Sequence, residues 1–121
     1  MSDISTLLEK TVVPKIRTEL RPHLEGLFGG VVRSFLPQTW WFSTESGDGT
    51  LVVDQSGAGK VYDGKIGHPD VSITWTDHEF FVALTTGDRE GLPAKRTAPK
   101  IQVHTPKGKV GYEQLRKRLG L

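Results

Sequence analysis

The chain contains no cysteine, which rules out disulfides, thiolate chemistry and cysteine-based zinc sites. No apolar run approaches the roughly 20 residues needed to span a bilayer, and no charged–apolar–small leader is expected at the start. Repeats, low-complexity tracts and dividing linkers are also missing, so residues 1–121 are expected to form one domain, soluble and cytoplasmic. The four histidines (His23, His68, His78 and His104) fall on separate expected elements without an HExxH pair, and no metal site is expected. No GxSxG elbow is present. Ser56-Gly57-Ala58-Gly59-Lys60 imitates a phosphate loop, but Asp54 stands where the loop needs its first glycine. Val61 stands where a magnesium-binding hydroxyl belongs, so a loop between two strands is expected instead. The remaining carboxylates are scattered through turns and helix starts, so the chain is expected to be no enzyme and to use no cofactor.

Charge is present but unevenly placed. Residues 89–118 carry nine Lys/Arg against two acidic residues, leaving seven basic against twelve acidic in the rest of the chain. A basic carboxy-terminal quarter on an acidic body suits an anionic membrane surface, a phosphate-bearing ligand or an acidic protein partner. The concentration of aromatics at Trp40-Trp41, Phe42, Trp75, Phe80 and Phe81 sits in other segments, so no nucleic-acid binding is expected.

Hydrophobic spacing supplies the architecture. Ile4, Leu7, Leu8 and Val12 predict a helix behind Ser2 or Asp3, and Ile16, Leu20, Leu24, Leu27 and Phe28 continue the stripe. Pro14 is expected in the first turn of a new helix, and Pro22 at a kink or break. Residues 31–37 are open between a short helix and an extended connection. Strands are expected over 40–45, 51–55 and 60–63, separated by turns at Gly47-Asp48-Gly49 and Gly57–Gly59. Val71, Ile73 and Trp75 alternate with polar residues in a further strand. Thr76 and Glu79 have capping-box spacing before a helix bearing Phe80, Phe81 and Leu84 and closed by Gly87. Asp88 to Pro99 reads as a loop. Ile101 and Val103 predict a last strand, which Pro106 breaks, and Val110, Leu115 and Leu119 predict a final amphipathic helix. Strands bracketed by helices make an α+β domain, with helices across one face of a mainly antiparallel sheet. Trp40 and Phe42 share one side of their strand, and Trp41 faces the other.

The stretch from Thr39 to Gly87 resembles the core of the sterol carrier protein type 2 domain. His68-Pro69-Asp70-Val71-Ser72-Ile73-Thr74-Trp75-Thr76-Asp77 is similar to the strand and cap of that family. Phe80-Phe81-Val82-Ala83-Leu84-Thr85-Thr86-Gly87 is similar to its FxxLxTG helix end, and Lys100-Ile101-Gln102-Val103 falls at its last strand. Between these last two the chain departs from the pattern, reading Ala94-Lys95-Arg96-Thr97. The resemblance implies about five strands, helices on one face, and an apolar tunnel between the layers that takes fatty acids, acyl-CoA, phospholipids or sterols without covalent chemistry. The expected partner is therefore a lipid or acyl-chain small molecule, bound or transferred by a monomer or homodimer.

The tunnel wall is expected from Phe28, Phe35, Trp40, Phe42, Leu51 and Val53 in the first half of the chain. Val61, Ile73, Trp75, Phe80, Phe81, Leu84, Ile101, Val103 and Leu115 complete it. Lys95, Arg96 and Lys100 are candidates to hold an anionic headgroup. The alternative left open is a protein-interaction or oligomerisation module with a closed core, docking through a basic face that includes Arg116, Lys117 and Arg118.

Overall fold

An apolar residue every fourth position over Ile4, Leu8, Val12 and Ile16 poses a geometric problem, because four residues overshoot a 3.6-residue turn by about 40° each time. The structure, a computed structural model that describes residues 3–20, 34–75, 81–82 and 99–119, shows the solution. The N-terminal helix alternates ordinary turns (Asp3–Leu7, Val13–Lys15) with wide i→i+5 turns (Leu8–Val12, Ile16–Leu20). The wide turns undershoot where the ordinary ones overshoot, so all four side chains are buried along one line. Pro14 stands in the first turn of the Val13–Lys15 stretch, as expected, but that stretch continues the same helix. The backbone stays helical through Val13 and Ile16, and the wide turn just before Pro14 gives its ring room where a regular helix would clash.

The sheet has five strands: β1 (Gln38–Thr44), β2 (Gly47–Val53), β3 (Gly59–Asp63), β4 (Val71–Trp75) and β5 (Lys100–Val103). Their spatial order is β3-β2-β1-β4-β5. β1 and β4 run parallel, and the other three pairings are antiparallel. The α+β reading with a mainly antiparallel sheet therefore holds. Across the sheet, Val61, Leu51, Trp40, Val71 and Val103 form one register row, and Gly49, Phe42, Ile73 and Ile101 lie in the next. The N-terminal helix covers β2 and β3, and the C-terminal helix, Pro106–Leu119, covers β1, β4 and β5. Both lie on the face that carries Trp40 and Phe42, as Ile4, Leu8 and Leu115 share one buried cluster with those rings.

Glycines set how closely the helices approach. A Cβ on Gly49 would sit 2.7 Å from the Ser5 hydroxyl, and one on Gly59 3.0 Å from Ile16 Cδ1. Gly49 therefore serves helix docking and lies inside β2. The expected three-residue turn is instead the tighter Glu45-Ser46 connection, with Gly47 at φ 142°. On the C-terminal helix the buried side is built from Gly108, Gly111, half-buried Tyr112 and Leu115, while Val110 is 46% exposed. The apolar stripe expected through Val110 is thus displaced by close backbone contact. The chain enters β1 through a buried Phe35-Leu36 pair and a cis Leu36–Pro37 bond. The expected capping box at Thr76 and Glu79, the helix end at Gly87, the Pro22 break and the loop from Asp88 lie outside the described residues, save for a helical Phe81–Val82 pair and Pro99.

Candidate functional site

The layer between the sheet and the two helices collects most of the expected wall. Phe35, Trp40, Phe42, Leu51, Val53, Ile73, Trp75, Phe81 and Leu115 are all buried and belong to one apolar cluster. The strand pleat gathers them, because side chains two apart point the same way: Trp40 and Phe42 on β1, Ile73 and Trp75 on β4. Their rings touch in a chain. Phe42 stacks on Trp75 at 6.3 Å and 9°, Trp75 meets Phe81 at 4.8 Å, and Trp40 meets Tyr112 at 5.6 Å. Each such pair adds about 0.5–1.5 kcal/mol beyond area burial.

Other expected residues are placed differently. Val61 and Ile101 are half-buried against the cluster, and Val103, on the same face at the edge strand, is 43% exposed. Lys100 is exposed and occupies a register position on the opposite face from Ile101. Phe28, Phe80, Leu84, Lys95 and Arg96 lie outside the described residues. Trp41, on the other face, is half-buried under the Lys65 ammonium, 5.1 Å from its ring centre, and its indole donates to Asp48 Oδ2 at 2.9 Å.

One end of the layer is closed by polar groups. The fully buried Gln38 accepts from Trp40 Nε1 at 3.0 Å and donates to the carbonyls of Phe35 and, at 2.8 Å, Lys107. Beside it, Asp70 accepts from the Thr39 amide at 2.9 Å and the Thr105 hydroxyl at 2.7 Å, and Lys107 Nζ stands 3.8 Å away. Thr105 in turn accepts from the Gly108 amide at 3.0 Å, capping the C-terminal helix, with Pro106 in its first position. Reading Pro106 only as a strand breaker missed this: Thr-Pro is itself a helix-start signal. Nothing in the local sequence marks Gln38 or Asp70 as hubs, because their partners come from 69 and 35 residues away.

The Ser56–Lys60 segment is the expected inter-strand loop. Asp54 folds it by accepting from the Ser56 amide and hydroxyl and the Ala58 amide, while Gly57 takes φ +82°. The Ser56 hydroxyl chiefly, with the two amides and Lys60, holds the Asp54 carboxyl below its ordinary value of 3.8 against the opposing effect of burial. Between this loop and the N-terminal helix lies a groove of about 200 Å³ lined by Val13, Arg17 and the residues from Ser56 to Gly59. A wider recess next to it includes Glu9, Lys60, Val61 and Tyr62. Both lie along the outer edge of the sheet, and of the expected wall they share only Val61. Among the described residues, no three His, Cys, Asp or Glu side chains converge as metal ligands, and no helix is long and apolar enough to cross a membrane.

Among the solved structures similar to this chain are two sterol carrier protein domains. The sterol carrier protein domain 2 of Helicoverpa armigera is 19% identical, with a TM-score of 0.48, covering 93% of this chain and 92% of its own. Sterol carrier protein 2 from Yarrowia lipolytica, in its apo form, is 18% identical, also at a TM-score of 0.48, covering 90% of this chain and 89% of its own. No family model matches the sequence, and no curated protein does.

Proposed function

We propose that this domain binds an amphipathic lipid or acyl chain, without covalent chemistry, in the layer between the sheet and its helices. The carrying observation is the contiguous aromatic and aliphatic cluster in that layer, closed at one end by the Gln38–Asp70–Thr105 network. The order and spacing of the motifs from Thr39 to Val103, which resemble the sterol carrier protein type 2 domain, support the same reading. On this reading the mouth is at the other end of the layer from the network: the network lies where β1 and β4 begin, and the far end is where they finish, at Thr44 and Trp75, with Lys100 starting β5 nearby. A tail entering at that end gains about 0.8 kcal/mol per CH₂ removed from water. Lys100, on the outer face of β5 at this end, adds positive charge near the mouth, and Lys95 and Arg96 are further candidates to hold an anionic headgroup.

Titration with a fluorescent fatty acid should show saturable binding, weakened by Lys100→Glu for anionic chains more than for neutral ones. Circular dichroism confirms that each protein is folded, and a folded wild-type domain with no saturable binding overturns the reading. The ring contacts that fill the layer favour one competing role, a closed-core module that docks a partner through its basic face. Native mass spectrometry of protein purified from its host separates the two, as only a carrier retains a small molecule of lipid mass.

A further inference from the structure

Three tryptophans give three indole donors, and the fold provides acceptors for two. Trp40 Nε1 donates to Gln38 and Trp41 Nε1 to Asp48, at 3.0 and 2.9 Å. Trp75 is 2% exposed, yet its Nε1 has no acceptor among the described residues, the one buried side-chain polar atom there in that state. Buried donors are nearly always paired, and leaving one unpaired is costly, so this exception needs a cause. An ordered water would need two to four polar partners. The rings packed on Trp75, those of Phe42 and Phe81, supply none, and the hydroxyl of its register partner Thr44 is already engaged by the Ser46 amide and the Gly47 carbonyl.

Position supplies the cause. Trp75 is the last residue of β4, at the end of the layer away from the Gln38–Asp70 network, where the lipid-binding reading puts the mouth. A chain lying tail-inward brings its polar head to that end. We propose that the Trp75 indole N–H is a specificity determinant, donating to an acceptor oxygen at the head of the bound chain: a carboxylate, or an ester or acyl carbonyl. The domain then selects acceptor-headed chains over plain hydrocarbons of equal length. Apolar burial is the same for both, and only the former satisfies the orphaned donor. This inference rests on the lipid-binding reading above, and its test separates the two.

Palmitic acid and 1-hexadecene are titrated by displacement of a fluorescent fatty acid from the wild-type protein and from Trp75→Phe, which keeps an aromatic ring but removes the N–H. One hydrogen bond of ordinary net strength corresponds to about a tenfold change in affinity. Trp75→Phe should therefore bind palmitic acid about tenfold more weakly and 1-hexadecene unchanged. In the wild-type protein, the Trp75 indole ¹H–¹⁵N resonance should move downfield with palmitic acid and stay in place with 1-hexadecene, a readout that stands even where the variant fails to fold. Wild-type protein that binds palmitic acid with this resonance unmoved overturns the inference and leaves the lipid reading intact, as does an equal loss of both ligands in the variant. Wild-type protein that binds neither ligand overturns both.

Discussion

Gly111→Ala sets helix propensity against steric contact, and the structure decides the sign. In a helix interior alanine is worth about 1 kcal/mol more than glycine. A Cβ at position 111, however, would lie 2.3 Å from Gln38 Cδ, 2.4 Å from its Nε2 and 2.6 Å from its Oε1. Restoring ordinary contact at 3.4 Å requires a shift of about 1 Å. Gln38 has little freedom to shift, since its amide is held by Trp40 Nε1 and by the carbonyls of Phe35 and Lys107, all in a fully buried site. Moving the amide, or lifting the helix from it, breaks at least one of these bonds and leaves a buried partner unsatisfied at about 1–3 kcal/mol, with overpacking adding a similar amount. Set against the propensity gain, the net loss is about 2–4 kcal/mol. For 121 residues this lowers Tm by about 10 °C. Urea unfolding followed by tryptophan fluorescence measures it, with exposed Val110→Ala on the same helix as control. In a Gln38→Ala background the amide is gone, and the cost of Gly111→Ala should shrink by more than 1 kcal/mol. A Gly111→Ala protein as stable as wild type, or more so, refutes the close-contact account of how this helix docks.

Two further perturbations probe the polar groups. Asp70→Ala strips acceptors from the Thr39 amide and the Thr105 hydroxyl in a buried site and should cost about 2–4 kcal/mol in urea unfolding. Lys107→Ala, which loses only a half-exposed ammonium 3.8 Å from the same carboxylate and a bond to the Pro37 carbonyl, should cost under about 1 kcal/mol. The Asp54 carboxyl titrates below its ordinary 3.8, held there mainly by the Ser56 hydroxyl. A depressed folded-state value stabilises the protein above the unfolded value and is lost as pH falls through the folded one. Stability should therefore decline below about pH 3.8 more steeply in wild type than in Asp54→Ala, and identical acid limbs in thermal melts would exclude this contribution.

The strands were legible because period-two patterning reports burial directly: Val71, Ile73 and Trp75 are inward residues that alternate with polar ones, and the structure buries all three. The alternation was incomplete as a guide, since Ser72 on the other face is also buried, hydrogen-bonded to His104 Nε2 at 2.8 Å. The N-terminal helix was legible for the same reason, but its wide turns were not. Nothing short of the four-residue spacing distinguishes a helix that precesses from one that adjusts its pitch. The C-terminal helix was legible from Leu115, but Val110 was assigned to its inner face, because a search for apolar residues passes over glycine, and Gly108 and Gly111 make that contact. The polar end of the layer could not be read at all. Gln38 and Asp70 become hubs only after β1, β4 and the C-terminal helix meet, and no local pattern encodes a partner 69 residues away.

Glycine contacts and aromatic bulk together define the shape of the layer. Gly49 and Gly59 bring the N-terminal helix down on β2 and β3, and Gly108 and Gly111 bring the C-terminal helix down beside Asp70 and Gln38. At Gly49 and Gly108 the layers stand nearly at backbone contact, and at Gly59 and Gly111 a side chain (Ile16 and Gln38) fills the approach, which leaves no depth there for a ligand. The large rings of Trp40, Phe42, Trp75 and Phe81 pack together in the layer between the sheet and the helices. Close packing makes any chain that enters displace or part these rings, because interiors hold few voids of useful size. The C-terminal helix is held at its first turn through Thr105, Lys107 and Gly108, and it also packs on the N-terminal helix at Ile16–Leu20. The one unsatisfied buried side-chain donor among the described residues, Trp75 Nε1, lies among these rings, so the proposed head recognition and the parting of the rings would fall at one place.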